Sequence, residues 1–381
     1  MSEINASNFK KEHGDLAPDL VGVTELTSPI FFVPPSGTTA ERPENCEPGT
    51  LRFNTDHGSL EIFRGKTIGW EQIVRRDGQY LGGSNISQAG SSKGTGTRGI
   101  TAGGNTPSVK EEIEFITIST FGNSKDFGNL TAASTGNSGS ASNTRGIFDG
   151  QGNPATNVIS FINIASKGDA QDFGDNSIGT IGYRSSLSNQ IRTVSAGGNS
   201  PASGTGDTID YITIAQKGDS KDFGNLSSTR DAGHAFASTT RGIFAGGASS
   251  PAIQFVTIMT TGNAVDFGSL SMGTVAGHGC SNATRGIMKF RGGSYVNTME
   301  FVTIATLGNS VDFGDATNNA GGAAAMASST RAIYAGGYGS PSFKTEIGSV
   351  EIATTGDAVT FGDLSYAADH VAGLSNGHGG L

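Results

Sequence analysis

An arginine-led segment that recurs six times is the feature that most constrains the fold of this chain. Its arginines are Arg98, Arg145, Arg192, Arg241, Arg285 and Arg331, at intervals of 44 to 49 residues. A second marker, Asp-Phe-Gly, begins at residues 126, 172, 222, 266 and 312, and Thr-Phe-Gly at 360 keeps the same period. Two markers with one period indicate a repeat architecture, and a period in the forties is typical of propeller blades and of some helical arrays.

The segment between the two markers has the composition of a β-strand. Residues 113–119, IEFITIS, are short, β-branched and aromatic, and turn residues bound them and their counterparts. Ile113 and Phe115 alternate with Ile116 and Ile118, which predicts a strand buried on both faces between stacked sheets. A Gly-Asn or Gly-Asp pair follows each copy, as a hairpin with positive φ requires. Four strands can be marked in the clearest repeat, around residues 276–315, so we expect an all-β fold, a six-bladed β-propeller of four-stranded antiparallel blades.

The end of the sequence predicts how the first blade obtains its first strand. Residues 370–376, HVAGLSN, resemble the first strand AGHGCSN at 276–282, and no second strand follows them. The stretch before Arg98 is rich in Gly and Ser and is a poor strand. We therefore expect the C-terminal strand to complete the first blade, which closes the ring and removes its edges.

With these features the repeat resembles kelch repeats, which have a small-residue first strand, a hydrophobic second strand ending in Gly-Gly, an aromatic third strand and a short fourth strand. The doublet is present at 103–104, 197–198, 246–247, 292–293 and 336–337, whereas the second repeat has Gly150 followed by Gln151. The phenylalanine of Asp-Phe-Gly stands where kelch blades usually carry tryptophan. The resemblance covers residues 98 to 381 and implies an architecture rather than an activity.

The first residues of the chain carry no repeat marker. Leu51 and Phe53 alternate with polar residues before a turn, and Leu60 and Ile62 do so after it, which predicts a β-hairpin. The block GTLRFNT with its following Trp resembles short modules of bacteriophage structural proteins, and DLVGVTELTSPIFFVPPSGTTAERP resembles the amino-terminal region of virion proteins from viruses of marine cyanobacteria. The resemblance implies a segment that anchors the protein to a virus particle.

We therefore expect three regions: a virion-anchoring arm with a β-hairpin module at 1–80, a Gly/Ser-rich linker at 81–97, and the propeller at 98–381. The arm contains one apolar stretch before two prolines, which suits an extended segment that becomes ordered on a partner. The candidate partner-anchoring residues are Phe31, Phe32 and Trp70. The alternative is that the arm packs on its own propeller.

Composition excludes several classes of function. The formal net charge of −9 without a basic stripe argues against a nucleic-acid partner. No run of about 18 apolar residues suggests membrane insertion, and the start lacks the apolar core of a signal peptide, so we expect synthesis in a host cytoplasm and residence in the virion. Cys46 and Cys280 match no zinc spacing, and the six histidines match no metal motif. We expect no cofactor, no metal and no catalytic residues.

The repeated arginines and the Asp-Phe-Gly aspartates should lie near one face of the propeller. We predict that the arginines bond to these aspartates (Asp126, Asp172, Asp222, Asp266 and Asp312) or to turn carbonyls, within or between blades. The alternative is a ring that binds an anion.

Variation among the repeats is greatest between strands two and three and between strand four and the next first strand. These loops should emerge on the face opposite the arginines, where a rigid scaffold with variable loops is the usual arrangement for recognition. The candidate loop-face binding residues are Lys110, Tyr295, Tyr338, Phe343 and Lys344. Drift of loop length without function is the alternative.

These features favour a non-enzymatic virion structural protein, present in several copies or as a homo-oligomer. Its first region would bind other virion proteins, and its propeller would attach to a partner or to a host-surface glycan. A decoration or connector protein without a ligand remains an alternative. A virion-associated glycan-processing enzyme is another, and it would need an acidic pair or a metal cluster at the central channel.

Overall fold

The structure, a computed structural model, describes residues 34–43, 45–56, 59–66, 69–72, 97–291 and 296–381. The chain divides into two units, residues 1–86 and residues 87–381. The predicted site residues Phe31, Phe32 and Tyr295, and most of the predicted linker, lie outside the described ranges. Within those ranges the one helical element is the 3-10 turn Thr39–Glu41, and no helix is long and apolar enough to cross a membrane.

The second unit consists of six four-stranded antiparallel sheets, numbered here 1 to 6 in the order of their second strands. The first strands are Ala372–Ser375, Ser138–Ala141, Ser185–Ser188, His234–Ala237, His278–Ser281 and Ala324–Ala327. The second strands are Arg98–Ala102, Arg145–Asp149, Arg192–Ala196, Arg241–Ala245, Arg285–Lys289 and Arg331–Ala335. The third strands are Glu112–Thr117, Val158–Asn163, Thr208–Thr213, Ala252–Thr257, Thr298–Thr303 and Glu346–Glu351. The fourth strands are Lys125–Asn129, Gln171–Asp175, Lys221–Asn225, Val265–Ser269, Val311–Asp315 and Val359–Asp363.

Within each sheet the strands follow the order first, second, third, fourth. In sheet 1 the first strand comes from the C-terminal end of the chain, with Leu374 opposite Ile100 and Ser375 opposite Gly99. Three sheets carry an additional two-stranded hairpin between their second and third strands. These hairpins pair Asn105–Thr106 with Ser108–Val109 in sheet 1, Asn199–Ser200 with Gly204–Thr205 in sheet 3, and Tyr338–Gly339 with Ser342–Phe343 in sheet 6.

The third strand of each sheet is buried between two neighbouring sheets, as its sequence predicts. Ile113 of sheet 1 packs in a cluster with Phe148 of sheet 2. Ile116 and Ile118, on the opposite face, pack in a different cluster with Met326 of sheet 6. Apolar residues on both faces of the strand therefore serve two separate cores.

The repeated arginines connect each sheet to the next one. Each donates from Nη1 to the main-chain carbonyl of the isoleucine that follows the neighbouring third strand. The pairs are Arg98–Ile164 (2.6 Å), Arg145–Ile214 (2.7 Å), Arg192–Ile258 (3.3 Å), Arg241–Ile304 (2.8 Å), Arg285–Ile352 (3.2 Å) and Arg331–Ile118 (3.0 Å). These hydrogen bonds link neighbouring sheets, and each is strengthened by the positive charge of its arginine donor.

Two partners were predicted for these arginines: the turn carbonyl of a neighbouring sheet is confirmed, whereas the Asp-Phe-Gly aspartate is wrong for the described residues. Each aspartate is the exposed second residue of an outer fourth strand, whereas the guanidinium lies inward, over an aromatic ring. The rings are Phe115 (4.9 Å), Phe161 (4.6 Å), Tyr211 (4.3 Å), Phe255 (4.5 Å), Phe301 (4.6 Å) and Phe121 (4.8 Å). Phe121 serves Arg331 because Ser349 occupies the usual aromatic position of sheet 6. Stacking thus holds each arginine away from the aspartate.

The Gly-Asn and Gly-Asp turns make a second set of inter-sheet hydrogen bonds. The Oδ1 atom of the Asn or Asp accepts from a main-chain N–H at the end of the preceding sheet's fourth strand. The donor–acceptor pairs are Asn129–Asp169, Asp175–Asp219, Asn225–Asn263, Ser269–Asn309, Asp315–Asp357 and Asp363–Asn123, at 2.9 to 3.0 Å. The glycine of Asp-Phe-Gly allows this close approach, since a Cβ on Gly128 would lie 2.5 Å from the Gly168 carbonyl oxygen.

The first unit contains a sheet of Ser36–Gly37, Leu51–Asn54, Ser59–Phe63 and Trp70–Gln72, of which the first pair is parallel and the others antiparallel. The predicted hairpin is confirmed, with Leu51 opposite Ile62. Its buried face is the polar one: Glu61 is fully buried and bonds to Arg42 at 2.6 Å. Burial alone would raise the pKa of Glu61, but hydrogen bonds from Arg42 and Asn54 lower that pKa below its usual value.

Candidate functional site

The second unit contains a cavity that is bounded by all six sheets. It has a volume of about 60 Å³ and lies at the N-terminal ends of the first strands; we call it the mouth cavity. Small residues in the first strands, such as Gly139, Ala235, Gly279 and Gly373, let the six strands converge around it. A Cβ on Gly139 would collide with the Gly373 carbonyl oxygen, so the convergence depends on glycine there.

Six residues at equivalent positions, two before each first strand, surround the mouth cavity and have left-handed backbone conformations. We call them the six αL residues. They are Gly136 (φ 72°), Tyr183 (55°), Ala232 (47°), Ala276 (48°), Gly322 (67°) and His370 (51°). The carbonyl of each accepts a main-chain hydrogen bond from the following sheet, at 2.8 to 3.2 Å. These bonds fix the conformation that the four non-glycine residues adopt at an energetic cost.

Two of the six αL residues, Tyr183 and His370, carry large side chains, and their rings meet edge to face with centroids 5.4 Å apart. The Tyr183 ring lies against two glycines: a Cβ on Gly136 would be 2.7 Å from it, and one on Gly152 would be 2.5 Å from it. The ring is therefore held in one orientation by backbone that has no side chain. Both residues line the mouth cavity.

A carboxylate accompanies this aromatic pair. Asp369 Oδ2 lies 3.1 Å from Nδ1 of His370. Its other oxygen, Oδ1, is buried and has no hydrogen-bond partner among the described residues. Burial together with the charges of Asp369 and Asp231 raises the pKa of the Tyr183 phenol, so the phenol stays protonated. The Asp369 carboxylate thus lies behind His370, next to the aromatic pair that lines the cavity.

Two further histidines lie in or behind the wall of the cavity and are uncharged at neutral pH. Burial, with the neighbouring charges of His370, His234 and Lys289, lowers the pKa of His278 to about 3. Burial lowers the pKa of His234 to about 4, and its ring packs on Phe290 with centroids 5.6 Å apart. His278 lines the cavity, and its ring makes no hydrogen bond within the described part of the chain. The wall therefore presents a neutral imidazole.

Residues 376–381 lie across the opposite end of the first strands. His378 Nε2 donates to the Ala141 carbonyl at 2.9 Å, while its Nδ1 accepts from the Gly380 N–H at 3.1 Å. The Gly379 N–H donates to the Ser281 carbonyl at 2.8 Å. Since Ala141 and Ser281 belong to sheets 2 and 5, this segment spans the space between the first strands.

Four described loop residues that were predicted from sequence do not line the mouth cavity: Lys110, Tyr338, Phe343 and Lys344. Lys110, between the second and third strands of sheet 1, places Nζ 3.8 Å from Glu112. In the hairpin of sheet 6, the rings of Tyr338 and Phe343 meet edge to face at 5.0 Å. Lys344 follows this hairpin, and its Nζ donates to Ser342 at 3.1 Å. Their role in binding stays a prediction.

Trp70, the described member of the predicted anchoring set, packs within its own sheet. Its ring centroid is 5.4 Å from that of Phe63, and the Arg52 guanidinium lies 5.8 Å from it. The tryptophan is half-buried and contributes one side of that sheet.

Sequence reasoning missed Tyr183, His370 and Asp369. A signal was present, because alignment of the repeats two residues before each first strand gives Gly, Tyr, Ala, Ala, Gly and His. The other repeats have Gly or Ala at this position. Once the left-handed backbone is known, a large residue there indicates a role for its side chain. In the described ranges no group of three or more His, Cys, Asp and Glu side chains could hold a metal ion.

Comparison with known proteins concerns the fold alone. No family model and no curated protein matches this chain. A solved structure titled "Structure of YjhT" is similar over 64% of this chain and 88% of its own, with a TM-score of 0.54 and 11% sequence identity. With the four-stranded antiparallel sheets, this likeness supports a β-propeller-like all-β structure.

Proposed function

We propose that this protein is a non-enzymatic structural protein of a bacteriophage virion. Its first unit anchors it to other virion proteins, and its second unit is a closed six-bladed propeller displayed for attachment to a host surface or a partner. The resemblance of residues 19–70 to phage structural modules supports the virion part of this proposal.

The observation that carries the anchoring role is an apolar face on the sheet of the first unit. Leu51, Phe53, Leu60 and Ile62 share this face because they alternate with the buried polar residues. Leu51 is 44% exposed, and the other three are only partly buried. An apolar sheet face of this kind gains stability when a partner removes it from water, as another virion protein would.

The attachment role is supported by the contrast between the two ends of the sheets. At one end, the arginine–carbonyl and turn hydrogen bonds repeat in all six sheets and make a rigid frame. At the other end, within the described residues, sheets 1, 3 and 6 carry the additional hairpin, whereas sheets 2 and 4 do not. Variable loops on a uniform frame suit recognition of a partner, and this end also contains the mouth cavity.

The experiment is reconstitution of particles with the full chain and its variants, followed by cryo-electron microscopy. We expect the face of Leu51 and Phe53 to contact another virion protein and the hairpin end to point outward. Phe53→Glu should reduce incorporation into particles at least about tenfold, because it places a charge in an apolar contact. Val311→Glu, at a residue of the second unit that is 57% exposed, is the matched control and should incorporate normally.

Equal incorporation of both variants would exclude this face as the anchor. A map in which the hairpin end packs against the particle would favour a decoration or connector protein instead. Absence of the protein from purified particles would refute the virion proposal altogether.

A further inference from the structure

We propose that the mouth cavity binds one neutral sugar residue, at the end of a glycan, through Tyr183, His370 and His278. The inference rests on the proposed attachment function and deepens it, because it moves the contact from the predicted loop residues to the cavity between the first strands. No comparison assigns a ligand to this cavity.

The backbone of the mouth cavity supplies the first argument. All six αL residues share one left-handed conformation, and glycine would adopt it without strain at each position. Gly136 and Gly322 adopt the left-handed conformation without strain, whereas Tyr183 and His370 are large residues for which this conformation is unfavourable. Strained backbone that orients two rings toward one cavity indicates a role for those rings beyond folding.

The polar groups without partners supply the second argument. The His278 imidazole lines the cavity without a hydrogen bond to the described residues, and so does the Tyr183 hydroxyl. The Asp369 carboxylate pairs with His370 and is not among the residues that line the cavity. A polar group that lines a cavity without a protein partner is available to bond to the hydroxyl groups of a ligand.

The charges select a neutral ligand over an anionic one. Asp231 and Asp369 place negative charge near the Tyr183 ring, and His278 is uncharged at neutral pH. Arg184, the arginine among the lining residues, has its terminal nitrogens committed to Asp210 at 2.5 Å and to other buried groups, and Lys289 Nζ, near His278, bonds to Asn318 at 3.2 Å. A hydroxylated ring satisfies these polar groups of the cavity and offers an apolar face to Tyr183 without adding charge.

The shape of the cavity favours the terminal residue of a glycan over a residue within it. The C-terminal residues, through His378 and Gly379, occupy the far end of the space between the first strands. A ligand therefore enters from the mouth and cannot thread through. With about 60 Å³ available, one sugar ring enters only in part, which agrees with recognition of a single terminal residue.

The test is saturation-transfer NMR on the full chain with free D-glucose, D-galactose, D-mannose and N-acetyl-D-glucosamine, each at about 10 mM because single sugars bind weakly. D-glucuronate is the anionic comparison. We expect a signal from at least one neutral sugar and a weaker one from glucuronate. Tyr183→Gly and His370→Gly should each weaken binding at least about tenfold, since they remove the contact groups while relieving the backbone.

Ala276→Gly is the matched control, because it relieves the same backbone conformation and removes no contact group. It should bind as the unmodified protein does. If Tyr183→Gly folds poorly, Tyr183→Phe and His370→Asn test the hydroxyl and the imidazole separately, and asparagine tolerates the left-handed conformation.

Absence of a signal from every neutral sugar would overturn the proposal, and so would equal binding by glucuronate or unchanged binding by both glycine variants. The two proposals fail separately. Particles that adsorb to host cells equally well with Tyr183→Gly would refute the sugar site and leave attachment standing. Sugar binding by a protein absent from particles would refute the virion role alone.

Discussion

The arginine that bridges neighbouring sheets provides the sharpest test of how this fold is held together. Replacing Arg241 with methionine removes the 2.8 Å hydrogen bond to the Ile304 carbonyl and the charge above the Phe255 ring. Methionine keeps an apolar, flexible contact with that ring. The perturbation therefore isolates the inter-sheet hydrogen bond and the cation–π contact.

The expected loss follows from the two contacts. A hydrogen bond from a charged donor contributes about 1.5–3 kcal/mol, and its loss leaves the Ile304 carbonyl without that partner. A partly exposed cation–π contact adds about 0.5–1 kcal/mol. We expect the free energy of unfolding of the second unit to fall by about 2–4 kcal/mol, which lowers its Tm by about 3–6 °C for a unit of this size.

Urea unfolding followed by circular dichroism, with calorimetry for the Tm, measures this loss. Lys217→Met is the control: its Nζ also lies over an aromatic ring, 4.8 Å from the Phe161 centroid, but it bonds to no carbonyl in the described residues. It should cost less than about 1 kcal/mol. An Arg241→Met loss below about 0.5 kcal/mol, or one equal to that of the control, would refute the bridging role.

Two further predictions concern the packing of the sheets and the response to acid. Gly128→Ala should lower the free energy of unfolding by about 2–3 kcal/mol, because its Cβ would meet the Gly168 carbonyl oxygen. Gly122→Ala, with a similar φ of 150° but nothing within 4 Å, should cost clearly less in the same calorimetry; equal costs would contradict the packing argument. Buried His234 has a pKa of about 4 against 6.5 when unfolded, so its contribution is present above pH 6.5 and is lost as the pH falls toward 4. Urea unfolding at pH 7 and 4.5 should show a decrease about 2.5 kcal/mol smaller in His234→Phe than in the unmodified protein, and identical decreases would contradict the assignment.

Sequence patterns predicted the repeat itself and the class of its strands. The two-sided apolar pattern around Ile113 and Ile116 predicted a strand between two cores, and the structure places those residues in different clusters. The alternation around Leu51 and Ile62 predicted a hairpin, and the structure pairs these two residues in it. Both patterns are local, because a strand's period of two can be recognised without knowledge of its neighbours.

The same hairpin shows that local patterns do not predict which face of a strand pair is buried. Its apolar face would ordinarily be assigned to the interior, yet Arg52, Asn54 and Glu61 are the buried side chains. The reason is that Arg42, which lies outside the hairpin, supplies the ion pair that compensates buried Glu61. Only the arrangement of the whole unit brings that partner into place.

Sequence alone determined that the second unit repeats a four-stranded β pattern six times, because the repeat spacing, the turn residues and the strand alternation can each be recognised in the local sequence. Tertiary structure alone decided the partner of each repeated arginine and the position of the mouth cavity. The partners are far apart in sequence and meet only where different sheets converge, as Arg98 does with Ile164 and Tyr183 does with His370. The direction of a side chain between two sheets depends on which neighbour offers a carbonyl, a ring or a glycine, and no single repeat contains that information.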